Sequence, residues 1–298
     1  MLRLISALND VSDEEYARLV PAGACLVAYR GSHAHGTYVP PEDPQGHDDV
    51  DLMSVYVDQR LSSYFGTDGQ VWTGRDVKIR EWDGVCYQLQ HFAKLAAACN
   101  PNVISALWLR GEHYLLTSAV GLELIAHRDM FSSRLAAKSF GGYAHGQLKR
   151  MTAWKDQEKA GCDCDGAWHA PDCPLKAERG RGSSKLYATG FMGAKRKALV
   201  EKHGYDTKNA AHLIRLLRMA KEFLSTGTLN VWRDDAAELI SVKRGEWALG
   251  AVMREADGLF AALEERRHMS PLPETPDFEA INQFVTGLVA KSLGIPTW

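Results

Sequence analysis

Short apolar stretches typical of strands occupy the first third of the chain. Ala24–Tyr29 is an apolar run that ends at a Gly-Ser pair, as buried strands often do. Val50–Val57 alternates between two faces and is rich in β-branched residues, so it also predicts a strand. Val77–Trp82 is a third candidate, and helical apolar spacing follows over residues 85–99. Ahead of them, the capping box at residues 12–15 (SDEE) predicts the start of a short helix.

From about Leu115 onward the apolar residues recur with helical spacing and strand signals fade. This pattern predicts helices over residues 132–158, 184–203, 207–225, 246–266 and 277–293. We therefore predict an α+β fold in two domains. Residues 1–114 would form a mixed sheet with helices, and residues 115–298 a helical domain.

The amino-acid composition is that of an ordinary globular protein and agrees with the predicted fold. The chain has 298 residues, of which 45% are hydrophobic and 24% are charged, so a disordered or fibrous protein is excluded. There is no apolar run of about 18 residues, the length that predicts a membrane-spanning helix. The N-terminal segment becomes acidic where a signal peptide would be apolar, and six cysteines do not make a disulfide framework. We expect a cytoplasmic protein without disulfides.

Charge is distributed unevenly along the chain. Between Lys176 and Lys221 there are 12 Lys and Arg residues against three acidic ones, although the net charge of the chain is −2. Such a segment favours a polyanionic partner, a nucleic acid or a nucleoside triphosphate. The alternative is a solvated helix face.

The first two predicted strands carry residues suited to phosphate chemistry. Gly31 and Ser32 end the first strand, where a turn exposes backbone N–H groups and a hydroxyl that can bind phosphate oxygens. Asp49 and Asp51 begin the second strand, and residues two apart on a strand point to the same side. Two convergent carboxylates are what a pair of Mg²⁺ ions requires for phosphoryl displacement.

One predicted helix has a cationic face. On a helix over residues 207–225, Lys208, His212 and Arg215 lie within about 60° of one another. Leucines lie on the opposite side, so the three polar residues should not all be buried in the helical core. We expect this face to contact phosphates of a nucleotide or of an acceptor, the alternative being a solvated surface.

A polar segment between two predicted helices contains a potential zinc site. Cys162, Cys164, His169 and Cys173 lie within 12 residues and could ligate a structural Zn²⁺ tetrahedrally. The alternative is a mobile loop with free thiols. The other three cysteines lie in apolar runs and are predicted to be core residues: Cys25, Cys86 and Cys99.

These motifs belong to a wider set of blocks. The chain resembles the DNA polymerase β-like nucleotidyltransferase superfamily and, within it, the RNA-repair-pathway polymerase β family of bacteria and phages. The blocks that carry the resemblance are GSHAHGT at 31–37, DDVDLMSV at 48–55, NPNVISALWL at 100–109, GFMGAKRKAL at 190–199, GYDTKNAAHLIRLLRM at 204–219 and LPETPDFEAIN at 272–282.

The resemblance implies roles for individual residues. Gly31 and Ser32 would hold the triphosphate, and Asp49 and Asp51 would ligate Mg²⁺ or Mn²⁺. A third metal-ligating carboxylate should follow on a later strand, where Asp83 matches best and Glu81 is the alternative. The segment between Gly36 and Asp49 is longer than expected of bacterial members, whereas such an insert is expected of phage-type ones. The resemblance therefore implies the cytoplasm of a bacterial cell or, if the protein is phage-encoded, of its host.

The activity that the resemblance implies is Mg²⁺-dependent transfer of a nucleoside monophosphate from an NTP to a hydroxyl group, with an RNA end as acceptor. Two alternatives stay open. The acceptor could be a protein side chain, or the protein could bind nucleotide or RNA without catalysis. Loss of a carboxylate would favour the last alternative, and all three are present.

Overall fold

A computed structural model describes residues 5–43, 46, 48–60, 64, 74–159 and 194–296. The strands are β1 (Ala24–Tyr29), β2 (Val50–Tyr56), β3 (Arg75–Ile79), β4 (Trp82–Gln88) and β5 (Tyr114–Thr117). The helices are α1 (Asp13–Leu19), α2 (Gly31–His35), α3 (Leu89–Ala97), α4 (Pro101–Ile104), α5 (Ala119–Ala126), α6 (Leu135–Lys159), α7 (Ala194–His203), α8 (Thr207–Thr226), α9 (Ala236–Lys243), α10 (Leu249–Met269) and α11 (Phe278–Leu293). The α+β organisation, with the sheet first and helices after it, is confirmed.

The five strands in the described ranges form one mixed sheet in the order β3-β4-β2-β1-β5. β1 runs antiparallel to β2, and the short helix α2 and the loop after it connect them. β2 and β4 are parallel, and this pairing sets Asp51 opposite Asp83. β3 and β4 form an antiparallel hairpin at one edge.

The hairpin corrects one part of the sequence interpretation. A strand over Val77–Trp82 was expected, but the chain turns at Arg80 and Glu81, and Arg80 has a left-handed φ of 50°. The helical pattern predicted from residue 85 begins only at Leu89. Residues 82–88 pair instead with both β2 and β3, so interstrand hydrogen bonding outweighs their local helical spacing.

The sheet packs on both faces. Leu52 of β2 and Val27 of β1 lie in a small core with Tyr16 and Leu19 of α1, whose predicted capping box is present. The other face belongs to a large core that extends from the sheet through the helices, including Met53 and Val55 of β2, Phe92, Phe140, Leu213 and Leu288. Asp51 shares the side of Met53 and Val55, because strand residues alternate. It therefore points toward the helical part of the protein.

The helical part follows most of the predicted pattern. α8 begins after Asp206, whose side chain accepts a hydrogen bond from Asn209 N at 3.0 Å, and it ends at Gly227. Its apolar face is fully buried as expected, including Ala210, Leu213, Leu217 and Leu224. Helices α5 and α9 were not predicted from the sequence. Strand β5 lies across the expected domain boundary at residues 114 and 115, and it pairs with β1.

Cys25, Cys86 and Cys99 are free and buried, which confirms that they are core residues. In the described ranges, none of the helices has the length and apolar character required to cross a membrane.

Candidate active site

Three acidic side chains lie at one end of the central strands. Asp51 and Asp83 are direct neighbours across the parallel β2–β4 pair, and Asp49 precedes β2 by one residue. Lys78 of β3 is paired with Asp83 across the hairpin. Its Nζ atom lies 2.5 Å from Oδ1 of Asp49 and 4.0 Å from Oδ2 of Asp83, so one amine contacts two carboxylates.

Asp49 and Asp83 both act electrostatically on Asp51. Burial raises the pKa of Asp51, and the neighbouring charges of Asp83 and Asp49 raise it further. Arg30 and Lys208 act in the opposite direction on the pKa of Asp51. Asp51 is therefore an incompletely compensated negative charge between the sheet and helix α8. Glu81, the alternative third carboxylate, lies in the β3–β4 turn rather than beside Asp51.

The Gly-Ser turn lies directly against Asp51. Gly31 has a φ of +60°, and a side chain at this position would collide with Oδ2 of Asp51. The backbone N–H of Arg30 donates to the carbonyl oxygen of Asp51 at 2.9 Å, which fixes the turn to β2. Ser32 follows in the first turn of α2 and accepts a hydrogen bond from Thr37 N through its carbonyl. The structure thus places the turn at Gly31 against Asp51, and Ser32 follows it in the chain.

Helix α2 is joined to the helical part through His35. Its Nδ1 atom lies 2.9 Å from the carbonyl oxygen of Val231, and its carbonyl accepts from Arg233 N at 3.1 Å. Arg215 Nη1 lies 2.7 Å from His35 Nε2. Because a carbonyl and a guanidinium occupy the two ring nitrogens, Nδ1 donates and Nε2 accepts, and the imidazole is neutral. Burial and the Arg215 charge hold the pKa of His35 well below its usual value.

The predicted cationic face of α8 is directed toward this turn. Lys208 acts electrostatically on Asp51, and His212 and Arg215 act on His35. Arg215 reaches His35 rather than open solvent, and burial lowers its pKa to about 10. Lys208 is thus the residue of the three that faces the carboxylates.

Another cation beside the site was missed by sequence reasoning. Lys243, the last residue of α9, is only 8% exposed. Burial and the charge of Lys208 lower the pKa of Lys243 to about 8. Its segment, AAELISVK, is short and gave no helical signal, so only the tertiary structure brings Lys243 to Lys208.

The predicted zinc ligands Cys162, Cys164, His169 and Cys173 lie outside the described residues. Within the part of the chain that is described, no group of three or more His, Cys, Asp and Glu side chains is close enough to hold a metal ion.

Acidic side chains on paired strands thus lie beside a glycine-serine turn, on the side of the sheet that faces the helical part. A model of the RNA repair pathway DNA polymerase beta family matches residues 7–287. The chain belongs to this family, and the resemblance inferred from its sequence blocks is confirmed.

Other comparisons add little. No functionally curated protein matches the chain. Among solved structures, a nucleotidyltransferase-like protein from Exiguobacterium sibiricum has 11% sequence identity and a TM-score of 0.27. The match covers 86% of this chain and 72% of that one. A likeness this weak has no bearing on the site.

Proposed function

We propose that the protein transfers a nucleoside monophosphate from an NTP to a hydroxyl group, with release of pyrophosphate. The observation that carries the proposal is the pairing of Asp51 with Asp83 across parallel strands, directly against the Gly31 turn. This arrangement offers carboxylates on one side of a nucleotide and backbone N–H groups on the other. Lys208 supplies a cation from the helical part.

The donor chemistry of the site suits a divalent cation such as Mg²⁺, but in the described structure the three carboxylates do not lie close enough together to form a metal site, so binding would require them to converge. The donors would be carboxylate oxygens, which hard cations prefer, and they come from Asp49, Asp51 and Asp83. Two observations support this fit. Asp51 is partly buried with its charge only partly compensated, and the Lys78 amine already lies between the other two carboxylates. When bound, the metal supplies neutralisation of charge on the phosphates.

The residues of the chain would act mainly by positioning and by electrostatics. The acceptor oxygen forms a bond to the α-phosphorus while the bond from that phosphorus to the α,β-bridging oxygen breaks. Asp83 would orient the acceptor hydroxyl and take its proton, since it is exposed at the open end of the strand pair. Gly31 and Ser32 would hold the phosphates, and Lys208 would offset the charge of the leaving pyrophosphate.

We infer that His35 and Arg215 act as positioning residues. Neither is directed at the carboxylates, but their contact joins helix α8 to the short helix that begins at Gly31. His212 acts electrostatically on the same histidine. The three polar residues predicted on α8 thus divide into one phosphate ligand, Lys208, and two residues that orient the turn.

The family name supports an RNA end as the acceptor. A protein side chain as acceptor would use the same carboxylates and differs only in the second substrate. Binding without catalysis is disfavoured, because Asp49, Asp51 and Asp83 are all present and electrostatically coupled.

The test is incubation of the protein and Mg²⁺ with each labelled NTP, with and without a pool of tRNA. Label that becomes attached to RNA supports the RNA acceptor, and label that becomes attached to the protein itself supports the alternative acceptor. Release of no pyrophosphate from any NTP under either condition would refute nucleotidyl transfer.

A further inference from the structure

Lys243 is held at the junction of two helices. The hydroxyl of Thr207, in the first turn of α8, donates to the carbonyl oxygen of Lys243 at 2.8 Å. This bond fixes the last turn of α9 beside the first turn of α8, which carries Lys208. The Lys243 side chain is buried by this packing, with 8% of the residue exposed.

The charges that face Lys243 are mostly of its own sign. They are Lys208 of α8, Arg244 of its own segment, and Asp43 of the loop between α2 and β2. Asp43 is already engaged, since its Oδ2 atom lies 2.7 Å from Nη2 of Arg244. Among the residues that the structure describes, the amines of Lys208 and Lys243 contact no carboxylate and have no hydrogen-bond acceptor.

A buried lysine is almost always paired, because desolvation of an ammonium group is costly. Burial and Lys208 lower the pKa of Lys243 to about 8, which reflects that cost. An unpaired buried charge of this kind lowers the stability of the ligand-free protein. Next to a functional site, such a group is typical of one that binds a ligand of opposite charge.

We propose that Lys243 and Lys208 together bind the β- and γ-phosphates of the nucleotide and so select a triphosphate over shorter phosphate chains. This assignment rests on the proposed function. Lys208 acts electrostatically on both Asp51 and Lys243. A phosphate chain whose α-phosphate lies at Asp51 would therefore meet Lys208 first and Lys243 beyond it.

The experiment uses inorganic phosphates as probes, so that it does not depend on the base or on the acceptor. Binding of tripolyphosphate, pyrophosphate and orthophosphate to the full chain is measured by calorimetry at pH 7 with Mg²⁺. The variants are Lys243→Met and, as a matched control, Lys221→Met, which removes an exposed amine elsewhere on α8. We expect Lys243→Met to weaken tripolyphosphate binding about tenfold or more, since a charge-assisted contact is lost. Orthophosphate binding and the Lys221→Met protein should change little.

Stability supplies the second readout. Without phosphate, Lys243→Met should melt at the same or a higher temperature than the natural protein, because an unpaired buried charge is removed. A lower melting temperature or a failure to fold would show that the amine is structural and would overturn the proposal. Tripolyphosphate affinity equal to that of the natural protein would also overturn it.

Failure of the proposed function would look different. Tripolyphosphate binding that depends on Lys243 would persist in a protein that transfers no nucleotide from any NTP. That result would support phosphate binding by Lys243 and refute only the proposed nucleotidyl transfer.

Discussion

Gly31 and Asp51 lie so close that no side chain fits between them. The Cβ atom of any other residue at position 31 would collide with Oδ2 of Asp51. Gly31 also has a φ of +60°, which side chains disfavour. The residue that begins the phosphate-binding turn therefore also determines where the central carboxylate can lie.

This relationship predicts the effect of Gly31→Ala. Displacement of Asp51 should reduce the rate of nucleotide transfer at least a hundredfold, since a shift of a catalytic group by about 1 Å can lower the rate by that factor. Gly204→Ala is the matched control, because Gly204 has a φ of +76° and open space around its Cβ position. Both variants should lose about 1 kcal/mol of stability, whereas transfer should fall only in Gly31→Ala. Equal activities of the two variants would contradict the relationship.

A second prediction concerns the identity of the third carboxylate. Asp83→Asn should abolish nucleotide transfer, because Asp83 lies opposite Asp51 in the register of β2 and β4. Glu81→Gln should retain most activity, because Glu81 lies in the hairpin turn. Initial rates of pyrophosphate release measure both. Loss of activity in Glu81→Gln, with activity retained in Asp83→Asn, would identify Glu81 as the third carboxylate.

A third prediction follows from the neutral state of His35. Its folded pKa is far below 6.5, so the unfolded chain takes up a proton that the folded chain excludes. The stability that the neutral imidazole contributes is therefore complete above about pH 6.5 and declines as the pH falls below it. Urea unfolding at pH 7.5 and 5.5 measures this decline.

The variant that isolates this effect is His35→Asn, which leaves Arg215 without its acceptor. At pH 7.5 it should be about 1–3 kcal/mol less stable than the natural protein. At pH 5.5 this difference in the free energy of unfolding should be about 1 kcal/mol smaller. The reason is that only the natural protein loses stability by keeping His35 unprotonated in the folded state. A gap of the same size at both pH values would show that His35 is not responsible.

A fourth prediction concerns zinc. Protein purified without chelators should contain about one zinc per chain, ligated by Cys162, Cys164, His169 and Cys173. Elemental analysis measures the content, and replacement of Cys162 and Cys164 by Ser should abolish it. Protein without zinc would contradict this prediction and leave the three cysteines as free thiols.

Local signals predicted much of the site. The strand-turn-strand unit that carries Gly31, Asp49 and Asp51 follows from apolar runs and a turn residue, and the structure has both strands there. Helix α8 was predicted to within one residue, because its apolar period is regular and Asp206 provides a cap. These features depend on neighbours in sequence.

Features that depend on distant contacts were missed. The expected strand over Val77–Trp82 is split by a turn, since residues 82–88 are held by two other strands. Arg215 shares a helix face with Lys208, yet it contacts His35, which lies 180 positions away in the sequence. Lys243 gave no signal, because its burial and its electrostatic interaction with Lys208 arise only from the packing of α9 beside α8. Apolar periodicity shows which face of a helix is polar but not what that face meets.

The central claim is that Asp51 acts in nucleotide transfer and does not stabilise the fold. The Asp51→Asn variant tests this claim most directly. Burial raises the pKa of Asp51, so the ionised form is disfavoured in the folded protein and the neutral amide should be at least as stable near pH 7. Release of pyrophosphate from labelled NTP with Mg²⁺ and RNA is measured for both proteins, alongside urea unfolding. The account predicts loss of transfer with equal or higher stability. Transfer at a near-natural rate, or unfolding of the variant, would contradict it.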